Sequence, residues 1–284
     1  MSSFLLLTHS HGIALLDALT DWRKSWRANN RDIRYGEAFQ GWFDGSMPAK
    51  PFVADVFSSA PPQFKSVTAW ILSGSQNAPL IEIDYSPDLT LKASSHLTEV
   101  LGEWNGKTPL VSMIHGNEHA RTSLNQWPPY DFLDDDVAEF NAEAQVVDSL
   151  FIDSYVQPWI NPVYLTLLAV RRLVSNPIIH VLPPPPRENP GNARHLETLA
   201  DEIKAYGFLP DYLRLKWYRR YCRLLGNQLA NIECKVLEPP VEACSQQGML
   251  KEAYAEGLTH GNGRYGDALA RKLACCEEFA APAP

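Results

Sequence analysis

The stretch FLLLTHSHGIALLDALTDW, residues 4–22, places a short apolar run, a polar turn and a second apolar pattern in succession. Residues 4–7 are continuously apolar, which is typical of a strand buried on both faces of a sheet. After Gly12 the apolar residues recur at steps of three and four, which describes one face of a helix. These residues are Ile13, Leu16, Leu19, Trp22 and Trp26. The stretch therefore predicts a strand–turn–helix unit with Ser10 in the turn.

Outward from this unit, strand and helix patterns alternate along the chain. Further strands are predicted at residues 67–72, 110–114, 178–182 and 235–237. Helix faces are predicted at residues 97–104, 163–174, 213–232 and 265–273, with a short helix at 137–151 inside an irregular acidic region from 127 to 162. Alternation of this kind predicts a mostly parallel sheet linked by right-handed crossovers. We expect an α/β fold, a three-layer α/β/α sandwich, in one domain over residues 1–284 with a frayed tail at 280–284.

Four consecutive prolines at residues 183–186 follow the strand predicted at 178–182. Proline cannot donate to a sheet, so the strand must end there and continue as a stiff extended segment. The segment is either a rigid connection or, because it follows the carboxyl end of a strand, a wall of a substrate groove.

Composition excludes some classes of partner. The chain has 25 Lys and Arg against 33 Asp and Glu, a net charge of −8, which argues against non-specific binding of nucleic acid. Basic residues cluster at residues 214–223. This cluster is interpreted as the solvated face of a helix, with a phosphate or acidic-substrate patch as the alternative.

Cysteine content and hydropathy bear on the cellular location of the protein. Five cysteines form no even disulfide framework and no metal-ligand spacing, which favours a reducing compartment. The apolar run at residues 4–7 has no positive charge before it and is too short for a signal peptide or a membrane span. We expect a cytoplasmic protein without a membrane partner.

Three polar segments far apart in the chain carry the chemistry. They are THSH at residues 8–11, GNEH at residues 116–119 and THGN at residues 259–262. The first two directly follow apolar runs, and the carboxyl ends of strands are where open α/β sheets hold their ligands. Together they supply the parts of an acyl-transfer site: Ser10 as nucleophile, His260 as base and the Asn117 amide as a donor to the oxyanion.

In these motifs the chain resembles the SGNH hydrolases, the GDSL-like lipase and esterase superfamily, in the bacterial branch whose first block reads Gly-Asp-Ser-His. Ser10 falls on the family's nucleophile, Asn117 on its oxyanion asparagine and His260 on its catalytic histidine. The segment HVLPPPP from His180 and the helix LRLKWYRRY around Lys216 are also similar to that branch. The resemblance implies a cofactor-free serine ester hydrolase that acts on an O-acyl ester of a carbohydrate or another small polar molecule. An acyltransferase with the same site and a non-catalytic binding module are the alternatives.

The sequence departs from the family pattern around two of these residues. Thr8-His9 replaces Gly-Asp before the serine, so the tight turn must be built differently. The acid that the family places three residues before its histidine is replaced by Gly257, and Glu256 is the nearest acid. Either Glu256 or a backbone carbonyl orients His260, and the offset of one residue favours a Ser-His dyad. The second oxyanion glycine has two candidates, Gly45 and Gly74.

Further residues are candidates for contacts with the oxyanion or the substrate. They are Gly116, His11, His119 and Asn262. Each central residue also has a structural alternative: Ser10 as a helix N-cap, Asn117 as a turn residue and His260 as a surface histidine.

A zinc site is the rival to the serine site. His-x-His at one strand end and a second His-rich segment at another strand end are compatible with zinc ligation. The candidate ligands are His9, His11, His115, Glu118 and His119. No later aspartate is placed as a ligand, so we expect a metal-free site.

Overall fold

The computed structural model describes residues 2–22, 52–71, 80–84, 90–102, 104, 108–114, 129–192 and 200–279. Several residues named above lie outside these ranges. They are Trp26, Gly45, Gly74, His115, Gly116, Asn117, Glu118, His119, the tail at 280–284 and the last residue of the strand predicted at 67–72.

Strands and helices alternate over the described residues. The strands are β1 (Ser2–Thr8), β2 (Phe52–Asp55), β3 (Phe64–Ile71), β4 (Ile81–Asp84), β5 (Thr90–Ala93), β6 (Leu110–Met113), β7 (Tyr130–Asp131), β8 (Gln145–Val146), β9 (Ile178–Val181), β10 (Cys234–Leu237), β11 (Ala255–Glu256) and β12 (His260–Gly261). The helices are α1 (Ile13–Leu19), α2 (Ser95–Gly102), α3 (Ser149–Leu173), α4 (Ala200–Tyr206), α5 (Asp211–Ala230) and α6 (Gly263–Ala274). None of the described helices combines the length and apolar character needed to cross a bilayer.

The central sheet has six strands in the order β10-β9-β6-β1-β3-β2. All neighbours are parallel except β2, which is antiparallel to β3. The predicted α/β fold with a mostly parallel sheet is confirmed. Taken in chain order, the five parallel strands are arranged 2-1-3-4-5, so the strand order reverses beside β1. Ligands of such sheets bind outside the carboxyl ends of the strands at this reversal.

The core explains why residues 4–7 are continuously apolar. Phe4 and Leu6 belong to a cluster that includes buried residues of α1 and α6. Leu5 and Leu7 belong to a second cluster that includes buried residues of α2, α3 and α5. Successive side chains of a strand point to opposite faces, so β1 has apolar cover on both.

One helix replaces two predicted elements, and the short helix at residues 137–151 was wrong. Helix α3 runs for 25 residues through Pro158 and Pro162, and Pro162 ends the region predicted to be irregular. An interior proline costs about 3 kcal/mol. Both prolines lie on the exposed face, so the buried stripe continues past them without a break. The stripe consists of Ile152, Val156, Ile160, Val163, Leu167 and Val170.

The solvated basic face predicted for residues 214–223 was also wrong for two of its members. Arg214 and Lys216 are each only 1% exposed. Lys216 Nζ lies 2.8 Å from Oδ1 of the buried Asp131 and donates to the Phe132 carbonyl at 2.9 Å. A buried charge is tolerated only with such partners. Both partners of Lys216 come from the acidic region at residues 127–162, which is predicted to be irregular.

The four prolines at residues 183–186 are buried. The Tyr218 hydroxyl donates to the Pro183 carbonyl at 2.9 Å, and the Leu250 N–H donates to the Pro186 carbonyl at 2.9 Å. The segment is therefore a rigid buried connection between the sheet and the C-terminal part of the chain. Pro185 also lines a groove beside α5.

Candidate active site

The fold brings Ser10 and His260, 250 residues apart in sequence, into hydrogen-bonding contact. Ser10 Oγ lies 2.9 Å from His260 Nε2. Ser10 opens a short 3-10 turn, Ser10–Gly12, after β1, and His260 begins β12 just before α6. Gly12, rather than Ser10, occupies the N-cap of α1. The capping alternative for Ser10 therefore does not describe this turn, and its hydroxyl faces the histidine.

The turn before Ser10 is built without the Gly-Asp pair. The buried Thr8 hydroxyl donates to the His9 carbonyl at 2.7 Å, and the Gly12 N–H donates to the same carbonyl at 3.1 Å. A Cβ atom at Gly12 would overlap the Thr8 side chain. The glycine that the tight turn requires thus comes after the serine, and it makes room for Thr8.

His260 is held in place by the start of α6. Asn262 is the N-cap of this helix: its Oδ1 accepts from the Arg264 N–H at 3.0 Å and the Tyr265 N–H at 3.3 Å. Its Nδ2 donates to the Ala253 carbonyl at 3.0 Å. These contacts give Asn262 a capping role, and the substrate contact predicted for it stays a prediction.

The second ring nitrogen of His260 contacts a residue that sequence reasoning missed. Thr259 Oγ1 lies 2.9 Å from His260 Nδ1. For Nε2 to accept a proton from Ser10, Nδ1 must carry the hydrogen and donate it to Thr259. Adjacent side chains of an extended segment point apart, but Thr259 lies in the turn before β12. The sequence feature that could have indicated this contact is a hydroxyl residue directly before the histidine, in a turn.

Glu256 does not occupy the position of a triad acid. It lies opposite His260 in the antiparallel pair β11–β12, and its side chain is exposed. Burial lowers the pKa of His260 to about 4. A carboxylate in contact with the ring would instead raise this pKa. The ring is therefore neutral at pH 7 and able to accept a proton.

His11 packs against the candidate base. The two imidazole rings of His11 and His260 stack at a centroid distance of 4.4 Å and an angle of 13°. His11 is 3% exposed. This stacking restricts the orientation of the His260 ring, and the oxyanion or substrate contact predicted for His11 stays a prediction.

The remaining candidates lie beyond the described residues. Asn117, Gly116 and His119 follow β6, whose last residue Met113 pairs with Thr8 of β1. The chain thus leaves β6 beside the Ser10 turn. Three of the possible zinc ligands are in this same segment. Among the described residues, no three His, Cys, Asp or Glu side chains come together in a way that would hold a metal ion.

No family model, curated protein or solved structure matches this chain. Within the described residues, the site consists of His260 in contact with Ser10 and Thr259, beside the carboxyl end of β1.

Proposed function

We propose that this protein is a serine ester hydrolase of the SGNH type. The observation that carries the proposal is the 2.9 Å contact between Ser10 Oγ and Nε2 of a neutral His260. A serine hydroxyl alone is a poor nucleophile, and a base within hydrogen-bonding distance is what activates it.

The fold supports the same proposal. We propose a three-layer α/β/α sandwich, because the side chains of β1 belong alternately to a cluster with α1 and α6 and to a cluster with α2, α3 and α5. The 2-1-3-4-5 order of the parallel strands is that of flavodoxin-like folds. Ser10 follows β1, at the point where the strand order reverses, which is where such folds bind their ligands.

The geometry suggests the following reaction. Ser10 Oγ attacks the carbonyl carbon of the ester while its proton moves to His260 Nε2. The tetrahedral intermediate collapses, and the imidazolium returns this proton to the leaving alcohol. Water then attacks the acyl-serine with His260 again as base, which releases the carboxylic acid and restores Ser10. Backbone N–H groups near Ser10 and the Asn117 amide are the proposed donors to the oxyanion.

Thr259 is proposed to replace the acid of a triad. Its hydroxyl accepts from Nδ1–H and so fixes the tautomer of His260, but it carries no charge to stabilise the imidazolium. A base with a pKa of about 4 is also weak at pH 7. We therefore expect a slow esterase that stays active in mildly acidic solution.

The proposed substrate is an O-acyl ester of a carbohydrate or another small polar molecule, and the proposed location is the cytoplasm. All five cysteines are free, which supports a reducing compartment.

The test is hydrolysis of short-chain aryl esters and acetylated sugars. We expect Ser10→Ala to lower kcat/KM by at least ~10³-fold with an unchanged thermal midpoint. The control is Ser154→Ala on the exposed face of α3, which should keep wild-type activity. A Ser10→Ala variant that keeps its activity but loses stability would give Ser10 a structural role instead.

A further inference from the structure

Arg187 is a buried cation that joins two distant parts of the chain. It follows the four prolines and is 6% exposed. Its Nη1 donates to the Gly257 carbonyl at 2.9 Å, and its Nη2 donates to Glu252 Oε1 at 3.0 Å. The Glu252 side chain is half-exposed. One guanidinium group thus contacts both the start and the turn of the segment that leads to His260.

The backbone of Arg187 is itself firmly anchored. Hydrogen bonds of 2.9 Å join Leu250 to the Pro186 carbonyl on one side and the Glu188 N–H to the Leu250 carbonyl on the other. The Arg187 carbonyl accepts from Nη1 of the buried Arg214 at 2.9 Å. The guanidinium therefore extends from a rigid base, which is what a positioning group requires.

The segment that Arg187 contacts also carries Thr259 and His260, two of the three residues of the candidate site. Gly257 has a φ of 61°, a left-handed conformation that favours glycine, and it starts the turn between β11 and β12. Thr259 and His260 follow within three residues. A shift of the Gly257 carbonyl would move both side chains relative to Ser10.

We propose that Arg187 is a positioning residue that holds the β11–β12 hairpin so that the partly buried His260 remains in contact with Ser10. The kinetic part of this proposal rests on the proposed esterase function; the structural part does not. A two-pronged donor is needed, because Lys has the charge of Arg187 but cannot bridge Gly257 and Glu252 in the same fixed fork geometry.

Loosening of the hairpin has two expected consequences. Exchange of the hairpin amides with solvent becomes faster, since local opening costs less free energy. Hydration of His260 removes part of the burial that lowers its pKa, so the acid limb of the kcat/KM profile moves up from about 4 toward the ordinary value. The titratable groups that face His260 in the described residues are His11, which stacks on it, and Glu256, which lies opposite in the hairpin. Neither is a hydrogen-bond partner of the Arg187 side chain, which donates to Gly257 and Glu252.

The variants separate positioning from charge. Arg187→Met removes the donors and the charge, and Arg187→Lys removes the fork and keeps the charge. The matched control is Arg171→Met. Arg171 is a partly buried arginine that donates to the backbone carbonyls of four residues that flank β9 and β10.

The experiment combines hydrogen–deuterium exchange of the peptide over residues 252–262 with steady-state kinetics. For both Arg187 variants we expect at least threefold faster exchange in this peptide, a roughly tenfold lower kcat and little change in KM. Exchange in β1 should stay as in the wild type. Arg171→Met should leave the 252–262 peptide and the acid limb unchanged. If Arg187→Met does not fold, Arg187→Lys alone carries the test.

Two results would overturn the proposal. One is a folded Arg187→Lys with wild-type exchange over residues 252–262 and an unmoved acid limb. The other is an equal effect of Arg171→Met. Faster hairpin exchange in a protein that hydrolyses no ester would support the positioning role and reject the proposed function. Esterase activity of the wild type, together with unchanged hairpin exchange in the Arg187 variants, would support the proposed function and reject the positioning role.

Discussion

At the scale of single residues, the site differs from a Ser-His-Asp triad in the partner of the histidine. Thr259 contacts His260 Nδ1, and the ring is stacked on His11. A neutral hydroxyl orients the ring but leaves the imidazolium without a counter-charge, whereas a carboxylate does both. These contacts lead to opposite expectations for Thr259 and Glu256.

Thr259→Val removes the hydroxyl and preserves the shape of the side chain. Loss of one hydrogen bond of about 1–1.5 kcal/mol should lower kcat about tenfold, with KM and the thermal midpoint little changed. Steady-state kinetics on the best ester substrate measure this. Thr259→Ser keeps the hydroxyl and should stay near wild type. A fully active Thr259→Val would remove Thr259 from the mechanism.

Glu256→Gln should lower kcat less than about twofold, because the side chain is exposed and the ring already has Thr259 as partner. Loss of a triad acid would instead cost on the order of 10⁴. The comparison is kcat of Glu256→Gln beside that of His260→Ala. Equal, near-total losses in both variants would restore an acid-assisted triad with unusual spacing.

At the scale of elements, the site depends on close contact between α1 and α6. A Cβ atom at Gly266 of α6 would overlap the Ala14 carbonyl of α1. Helix α1 begins just after the Ser10 turn, and α6 begins just after His260. The contact between these helices therefore holds together the two ends of the chain that carry the site.

Gly266→Ala should destabilise the protein by ~1–3 kcal/mol through overpacking and should also lower esterase activity. Urea denaturation measures the free energy of unfolding. The matched control is Gly226→Ala in α5, where a Cβ atom meets nothing within 4 Å. It should be neutral or stabilising by up to ~1 kcal/mol, since alanine favours a helix over glycine. Equal effects of the two changes would contradict a close helix contact at Gly266.

Local sequence patterns predicted the strands and helices well where the burial of an element is encoded in its own apolar residues. The runs at residues 4–7 and 178–182 became strands because buried parallel strands need apolar side chains on both faces. Helix α3 was missed because proline acts locally, whereas the stripe that stabilises the helix packs against distant elements. Lys216 was placed in solvent because its partner, Asp131, is 85 residues away.

The candidate site was predictable to the same extent. The order of the motifs and the position of Ser10 after a buried strand pointed to the pairing with His260. The contact of Thr259 and the anchoring by Arg187 depend on the conformation of one turn, which no periodicity encodes. The capping role of Asn262 could not be predicted from residue type alone, because asparagine serves both as a helix cap and as an amide donor.

At the scale of the whole molecule, His180 and His260, whose pKa values are lowered by burial, couple stability to pH. Burial lowers the pKa of His260 to about 4 and that of His180 to about 3, whereas an unfolded histidine titrates near 6.5. Between these values the unfolded state binds more protons than the folded state, so the free energy of unfolding falls as the pH falls.

We expect full stability above pH 6.5 and a loss on the order of 1 kcal/mol per pH unit for the fully buried His180 below it. Urea denaturation at pH 7.5, 6.5, 5.5 and 5 measures this slope, in a range where most carboxylates remain ionised. His180→Gln should flatten the slope. Stability that stays constant or rises between pH 6.5 and 5 would contradict the burial of neutral histidines.

The central claim is that His260 makes Ser10 a nucleophile, and intact-mass spectrometry after treatment with a fluorophosphonate probe tests it most directly. The expected result is one adduct per wild-type chain, mapped by digestion to the peptide that contains Ser10. Ser10→Ala and His260→Ala should remain unlabelled under the same conditions, while Ser154→Ala labels as the wild type does. A folded wild-type protein that takes up no probe, or an adduct that persists in Ser10→Ala, would contradict the claim.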